Sequence, residues 1–337
     1  MPQFDYATFF AVAAGLVVAL YVTLDGFDLG VGILFPFAPR ITDRDTMMET
    51  LAPTWDGNET WLVLGGMVLL AGFPLAFSIL LPAFYIPLFL MLLGLVLRGV
   101  AFEFRSQRGA FEMAWSIAFA GGSMLAAFCQ GAILGAFIEG GIKVDADHSF
   151  VGGAFDWLGL FPLATGLGVV AGYALLGAGW LIWRTGSGTQ TFGREIARPA
   201  LIATVLAIAL VSVWTPIGSS YIAARWFAWP GVALLAPLPV LACAAGITVW
   251  RSLWGSRDWL PFVAAVVMVL CALIGCGASV WPAAIPGVMT IWEASSAPRT
   301  QAIVAPALVV IIPIILAYVV FSYWVFRGKV SAHEAEF

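Results

Sequence analysis

Residues 60–97 read TWLVLGGMVLLAGFPLAFSILLPAFYIPLFLMLLGLVL, 38 residues without an Asp, Glu, Lys or Arg. As one straight helix the run would extend roughly 57 Å at ~1.5 Å per residue, nearly twice the ~30 Å of a bilayer's hydrocarbon. Pro74, Ser78 and Pro82 fall in its middle, and proline in a helix interior ends or kinks it. The segment is therefore expected to be a tight helical hairpin, two spans instead of one.

Seven further stretches lack acidic and basic residues: 6–24, 113–138, 157–183, 199–224, 226–250, 259–292 and 300–326. Each is long enough for the ~20 apolar residues that a membrane helix needs, which brings the expected number of spans to nine. Pro282 and Pro286 should end the helix of the 259–292 stretch near residue 281, leaving Ala283 to Trp292 as a loop. The composition agrees: 62% of the 337 residues are hydrophobic and 10% are charged, against roughly a quarter charged in soluble domains. A net charge of −4 without a basic cluster excludes a nucleic-acid footprint. The expected fold is an all-α integral membrane protein, one polytopic domain over 1–337 with short loops, no appended soluble domain and no clear internal repeat. Met1 to Tyr6 carry no basic residue, so no cleavable signal peptide is expected.

Orientation follows from the distribution of Lys and Arg. With the N-terminus outside, the inner side receives Arg40, Arg44, Arg98, Arg105, Arg108, Arg184, Arg194, Arg198, Arg251, Arg257, Arg327 and Lys329. The outer side keeps only Lys143, Arg225 and Arg299. This bias favours an outer (periplasmic) N-terminus and a cytoplasmic C-terminus, and eight spans would break it.

Neither histidine falls in a span: His148 is in an outer loop and His333 in the tail. The chain thus offers no buried imidazole for a haem iron. Cys129, Cys243, Cys271 and Cys276 form no CxxC pair and read as small hydrophobes, not metal ligands. Asn58-Glu59-Thr60 matches a glycosylation sequon but falls on the inner side.

Ionisable groups near a bilayer core are costly, so each is a functional candidate. Asp25 and Asp28 in TLDGFDLG lie three apart, on one helix face. They are either caps of a first span ending at Asp28, in interfacial water, or a buried pair whose repulsion calls for a proton or a cation. Asp56 and Glu59 share a face at the start of the second span, between Trp55 and Trp61, which suit an interfacial belt. The alternative is an ordinary acidic helix N-terminus. Arg98, with Glu103 and Arg105 behind it, ends the third span. Arg98 is the deeper cation, placed either to neutralise Asp25, Asp28 or Asp56 or to snorkel to the inner headgroups. All three clusters map to the inner side, which suits proton or cation entry from the cytoplasm. Gln130 reads as an interhelical hydrogen bond, and Glu139, Asp145, Asp147 and Asp156 as solvated.

TLDGFDLGVGILFPF (23–37), APTWDGNETWLVLGG (52–66) and LRGVAFEFR (97–105), in that order, resemble subunit II of cytochrome bd-type quinol oxidases, and most of all the cyanide-insensitive branch. TIWEASS (290–296) is similar to a further family segment. The resemblance implies two four-helix bundles plus one peripheral helix, in a bacterial inner membrane. It implies a complex that oxidises ubiquinol, reduces dioxygen to water and draws its chemical protons from the cytoplasm. The haems, b-type and d-type or b-type only, would sit in the partner subunit I, and a small single-span subunit often joins. Any quinone or lipid in subunit II would be structural. By the same resemblance, Asp56 with Trp55 falls on a proton path and Asp28 on haem-site integrity or ion conduction. Trp61 falls on an apolar oxygen route and Arg98 on the motif's arginine. No catalytic residue and no metal ligand is expected in this chain.

The alternative is a secondary transporter with an acidic cation or proton site; against it, the acids gather at the inner third and no repeat is clear. Expressed alone, the chain should show no Soret band; stoichiometric haem in a purified sample would refute the accessory-subunit expectation.

Overall fold

The computed structural model describes residues 4–105 and 111–330; Arg108 and His333 lie outside the described residues. Helix α1 runs Tyr6–Leu34, its first turn capped by Asp5, whose carboxylate accepts from the Thr8 amide at 3.1 Å. The chain continues through α2 (Ile41–Glu49), α3 (Trp55–Gly72), α4 (Pro74–Ala83), α5 (Tyr85–Arg105), α6 (Glu112–Glu139) and α7 (Leu160–Arg184). Then follow α8 (Ser187–Gly218), α9 (Ser220–Phe227), α10 (Gly231–Leu235), α11 (Pro237–Ser252) and α12 (Leu260–Val280). A small antiparallel hairpin, β1 (Ala283–Ile285) and β2 (Met289–Thr290), leads into α13 (Ile291–Ala294) and α14 (Pro298–Val325).

Among the described residues, eight helical segments are long and apolar enough to cross a membrane. They include α1, α5, α6, α7, α8, the α10–α11 pair, α12 and α14. Helix α3 has 18 residues but opens on Asp56, Asn58 and Glu59, which lowers its apolarity.

Four expectations need correction. The first helix does not end at Asp28; it continues through the glycines to Leu34. The interruption in residues 60–97 is not a single turn in the middle of the run. The chain breaks at Phe73 and Phe84, and the ten residues between them form α4. Pro74 sits at the first turn of α4, where a missing N–H costs nothing. The helix expected over 199–224 begins earlier: α8 starts at Ser187 and carries Arg194 and Arg198. The stretch 226–250 is not one continuous helix: after the end of α9 at Phe227 it holds α10 and most of α11, with Pro230 and Pro237 at their starts, and these two together form one candidate span.

The break after α3 leaves the carbonyls of Ala71 and Gly72 without helical donors. The TIWEASS segment satisfies them from far along the chain. The Ser296 amide donates to the Gly72 carbonyl at 2.9 Å and its hydroxyl to the Ala71 carbonyl at 2.8 Å. The buried Gln301 amide adds a second donor to Gly72 at 3.2 Å.

Helix packing is close where glycines face one another. A Cβ on Gly30 of α1 would strike the Tyr173 carbonyl of α7, and one on Gly177 would strike the backbone of Gly30. Without a hydrophobic drive between helices in lipid, such close approach is a main source of association. Next to this crossing, Phe27 stacks on Trp180 at 4.1 Å, with Phe262 and Tyr323 edge-on around them. The cluster joins α1, α7, α12 and α14.

Gly30→Leu should therefore destabilise the folded chain by about 1–3 kcal/mol or more, read as a lower Tm of the detergent-solubilised protein. Gly15→Leu, at a position with nothing within 4 Å, should leave Tm unchanged; equal behaviour of the two variants would show that the α1–α7 contact is not tight.

Candidate functional site: a buried charge network

Helix α3 carries two opposed faces. Thr54, Asn58, Trp61, Leu64, Val68 and Gly72 point inward, whereas Asp56, Thr60, Val63, Met67 and Leu70 are exposed. Asn58 and Glu59 are thereby carried towards α1 and α5. Asp25 and Asp28 are fully buried and lie well inside α1. The interfacial-cap reading of these two acids is thus set aside.

Arg98 of α5, 1% exposed, joins the pieces. One terminal nitrogen donates to Asp25 Oδ1 and the other to Glu59 Oε1 at 2.8 Å. The Trp55 ring lies 5.5 Å from the Arg98 guanidinium carbon, in cation–π range, and packs on Phe102 at 5.1 Å. Arg98 is an interior cation and does not snorkel. The Glu59–Arg98 contact also means that the start of α3 and the late part of α5 meet at one level, so the segment between them goes out and comes back.

Asp28 has a different partner. The Asn58 amide donates to Asp28 Oδ2 at 2.7 Å, and the Tyr323 hydroxyl of α14 donates to Asn58 Oδ1 at 3.1 Å. On the other side of Asp25 lies the Tyr21 hydroxyl, which accepts from Gln130 at 2.8 Å. Gln130 in turn accepts from the Tyr173 hydroxyl at 2.7 Å. Gln130 is an interhelical hydrogen bond, as expected, linking α6 to α1 and α7. Beyond it opens a mainly apolar cavity of about 650 Å³ between α6, α7, α8, α11 and α12.

The other sequence candidates stand apart. Asp56 is exposed and does not pair with Arg98. Trp61 is not an interfacial belt residue: it is completely buried in an apolar cluster that includes Phe10, Val17, Leu64 and Leu308, and its indole N–H has no hydrogen-bond partner among the described residues. Arg105 serves a separate site, pairing with Asp45 of α2 at 2.7 Å and Glu112 of α6 at 3.4 Å, and donating to Ser116 at 3.0 Å. Glu103 is exposed on the last turn of α5. Glu139, Asp145, Asp147 and Asp156 are exposed, as expected.

Sequence reasoning missed Asn58, Tyr323, Tyr21 and Tyr173. For Asn58 a signal existed: it lies three residues before Trp61, on the buried face of α3. The tyrosines carried none, because only the fold brings them to the acids.

At the same end of the molecule, the α11–α12 turn is tied to the C-terminal segment. Asp258 accepts from Arg194 and from Lys329, each at 2.6 Å. Partial burial pushes the Asp258 carboxyl up, but hydrogen bonds from Lys329 and Gln190 and the charges of Lys329 and Arg194 outweigh it. The group is held below the ordinary carboxylate range. At the opposite end, Glu293 and Thr290 form a reciprocal cap on α13.

A family model described as "Cytochrome bd terminal oxidase subunit II" matches residues 6–326. The chain belongs to that family. It is 26% identical over 359 residues to "Cytochrome bd-I ubiquinol oxidase subunit 2" of Escherichia coli (strain K12), covering 96% of this chain and 94% of that protein. It is 25% identical over 341 residues to "Cytochrome bd ubiquinol oxidase subunit 2" of Bacillus subtilis (strain 168), covering 96% of each. The fold is similar to a chain of the bd oxidase from Geobacillus thermodenitrificans, with a TM-score of 0.76, 14% identity and coverage of 96% and 97%. Family members of this name are subunits of an oxidoreductase complex, and the multiple apolar helices make this one a multi-pass membrane protein. Membership selects the oxidase-subunit expectation over the transporter. Among the described residues no group of three or more His, Cys, Asp and Glu is arranged to hold a metal ion.

Arg98→Ala should strand Asp25 and Glu59 and cost about 3–5 kcal/mol, read as a lower Tm and poorer recovery of the assembled complex. Arg98→Lys should restore this only in part, since an ammonium lacks the two-pronged fork that reaches both acids. Normal assembly of the alanine variant would contradict the network's role.

Proposed function

We propose that this chain is the non-haem subunit II of a bd-type quinol:oxygen oxidoreductase in a bacterial inner membrane, and that its Arg98-centred network belongs to a cytoplasm-side proton path. The observation that carries the path is the enclosure of Asp25, Glu59 and Arg98 in contact, with Glu59 still 28% exposed. Three carboxyls, with Asp28, surround one guanidinium, so the charge of the site changes with each proton that it holds. Asp56, exposed one helical turn before Glu59, receives protons at the surface. Glu59 carries them inward to Asp25, with Asp28, Asn58 and Tyr323 as the adjoining hydrogen-bonded branch. Trp55 packs over Arg98 and shields the cation from water.

In this reading the chain is one polytopic domain that crosses the membrane nine times, as two four-helix bundles plus one peripheral helix. Its N-terminus is periplasmic and its C-terminus cytoplasmic. The return of α5 to the level of α3 and the Lys/Arg bias support that topology. The partner is a haem-bearing subunit I, with a small single-span subunit besides; electron transfer and dioxygen reduction are the chemistry of the haems held there. This chain's described helices contain no histidine, so its donor set does not fit a haem of its own. The apolar surroundings of Trp61 suit an oxygen route, and the cavity beside Gln130 suits a structural quinone or lipid.

Asp56→Asn and Glu59→Gln should each slow ubiquinol-dependent oxygen uptake while the subunits still co-purify with normal haem content. Full oxidase turnover in both variants would overturn the proton-path assignment, and a purified chain without any haem-bearing partner would overturn the subunit assignment.

A further inference from the structure

The turn between α11 and α12 forms an open recess of about 360 Å³, lined by none of the residues of the Arg98 network. Thr248, Arg251, Ser252, Ser256, Arg257 and Leu260 line it, and its volume is within the about 300–1,000 Å³ range of ligand pockets. Arg251 and Arg257 make no ion pair with any described residue. The one carboxylate of the turn, Asp258, is already engaged on both oxygens by Arg194 and Lys329. The recess thus presents two uncompensated guanidiniums next to three hydroxyl-bearing side chains.

The surroundings say what kind of anion fits. Trp250, Trp254 and Trp259 are exposed on the same two helix ends, with Trp250 and Trp254 5.3 Å apart. The Arg198 guanidinium lies 4.9 Å from the Trp254 ring. Exposed tryptophans beside arginines mark the headgroup level of a membrane. Away from the turn, α11 exposes Val240, Leu241 and Ile247, and α12 exposes Val263 and Val267, an apolar surface for acyl chains. Helix α12 starts without a side-chain cap, so its positive end adds to the attraction for an anion.

We propose that this recess binds the phosphate of an anionic phospholipid, with Arg251 and Arg257 gripping the headgroup and the outer faces of α11 and α12 receiving the chains. The inference needs only that these two helices cross the membrane, and it stands apart from the proton-path assignment.

The test uses the intact oxidase complex, delipidated in detergent and titrated with phosphatidylglycerol, phosphatidylcholine or inorganic phosphate; lipid retention is read by native mass spectrometry. Wild-type complex should retain phosphatidylglycerol over phosphatidylcholine. Arg251→Gln and Arg257→Gln should each weaken that retention about fivefold, and together about 25-fold. The double lysine variant, which keeps both charges, should retain most of it. Equal phosphatidylglycerol retention by the wild type and the double glutamine variant overturns the proposal. So does a loss in the lysine variant as large as in the glutamine one, since that would report damage and not charge. Displacement of phosphatidylglycerol by millimolar inorganic phosphate would assign the recess to free phosphate and overturn the lipid assignment.

Discussion

A guanidinium placed inside a membrane-spanning bundle must find its counter-charges within the protein, and Arg98 does so on two helices at once. Its contacts to Asp25 and Glu59 constrain everything nearby. Helix α1 must run past its acids, because a helix ending at Asp28 would leave that carboxylate in interfacial water, away from Asn58. Helix α3 must begin at the same depth, so that its second polar turn reaches inward. Helix α5 must return to that depth after the break at Phe73 and Phe84. Asn58 extends the constraint to α14 through Tyr323. Four helices converge because the cost of one unpaired interior charge exceeds that of arranging them.

The rest of the packing makes that convergence possible. Gly30 and Gly177 let α1 and α7 approach until backbones touch, which brings Phe27 against Trp180. At the far end, Ser296 and Gln301 fill the hydrogen-bond gaps left by the α3–α4 break. The TIWEASS segment therefore stabilises an interrupted helix and thereby holds the position of the buried face of α3. At the arginine-rich end, Arg194 and Lys329 close on Asp258, and the Val330 amide donates to the Arg184 carbonyl at 2.8 Å. The segment after α14 is thus tied to α7, α8 and the start of α12.

The arginines divide the acids between them. Arg98 takes Asp25 and Glu59; Arg105, seven residues on, takes Asp45 and Glu112. Two turns of α5 thus separate an enclosed network from one at the rim. Asp56 belongs to neither network and is exposed.

The sequence by itself determined that the chain is a helical membrane protein and that residues 60–97 are not one helix. It also marked Asp25, Asp28, Glu59 and Arg98 as the residues to watch. These are consequences of composition, of helix length against bilayer thickness, and of the cost of charge in lipid, all local or one-dimensional properties. The three motif segments carried the family. What only the tertiary structure decided was pairing: that Arg98 chooses Glu59 over Asp56, that Arg105 works elsewhere, and that Trp61 is core. The joining of Tyr21, Gln130, Tyr173 and Tyr323 to the acids was also a tertiary outcome. Pairing depends on helix rotation and on how far each helix continues past its polar residues. Those are set by glycine contacts and by hydrogen bonds between distant segments, such as Asn58 and Tyr323, 265 residues apart, which no local pattern in the chain encodes.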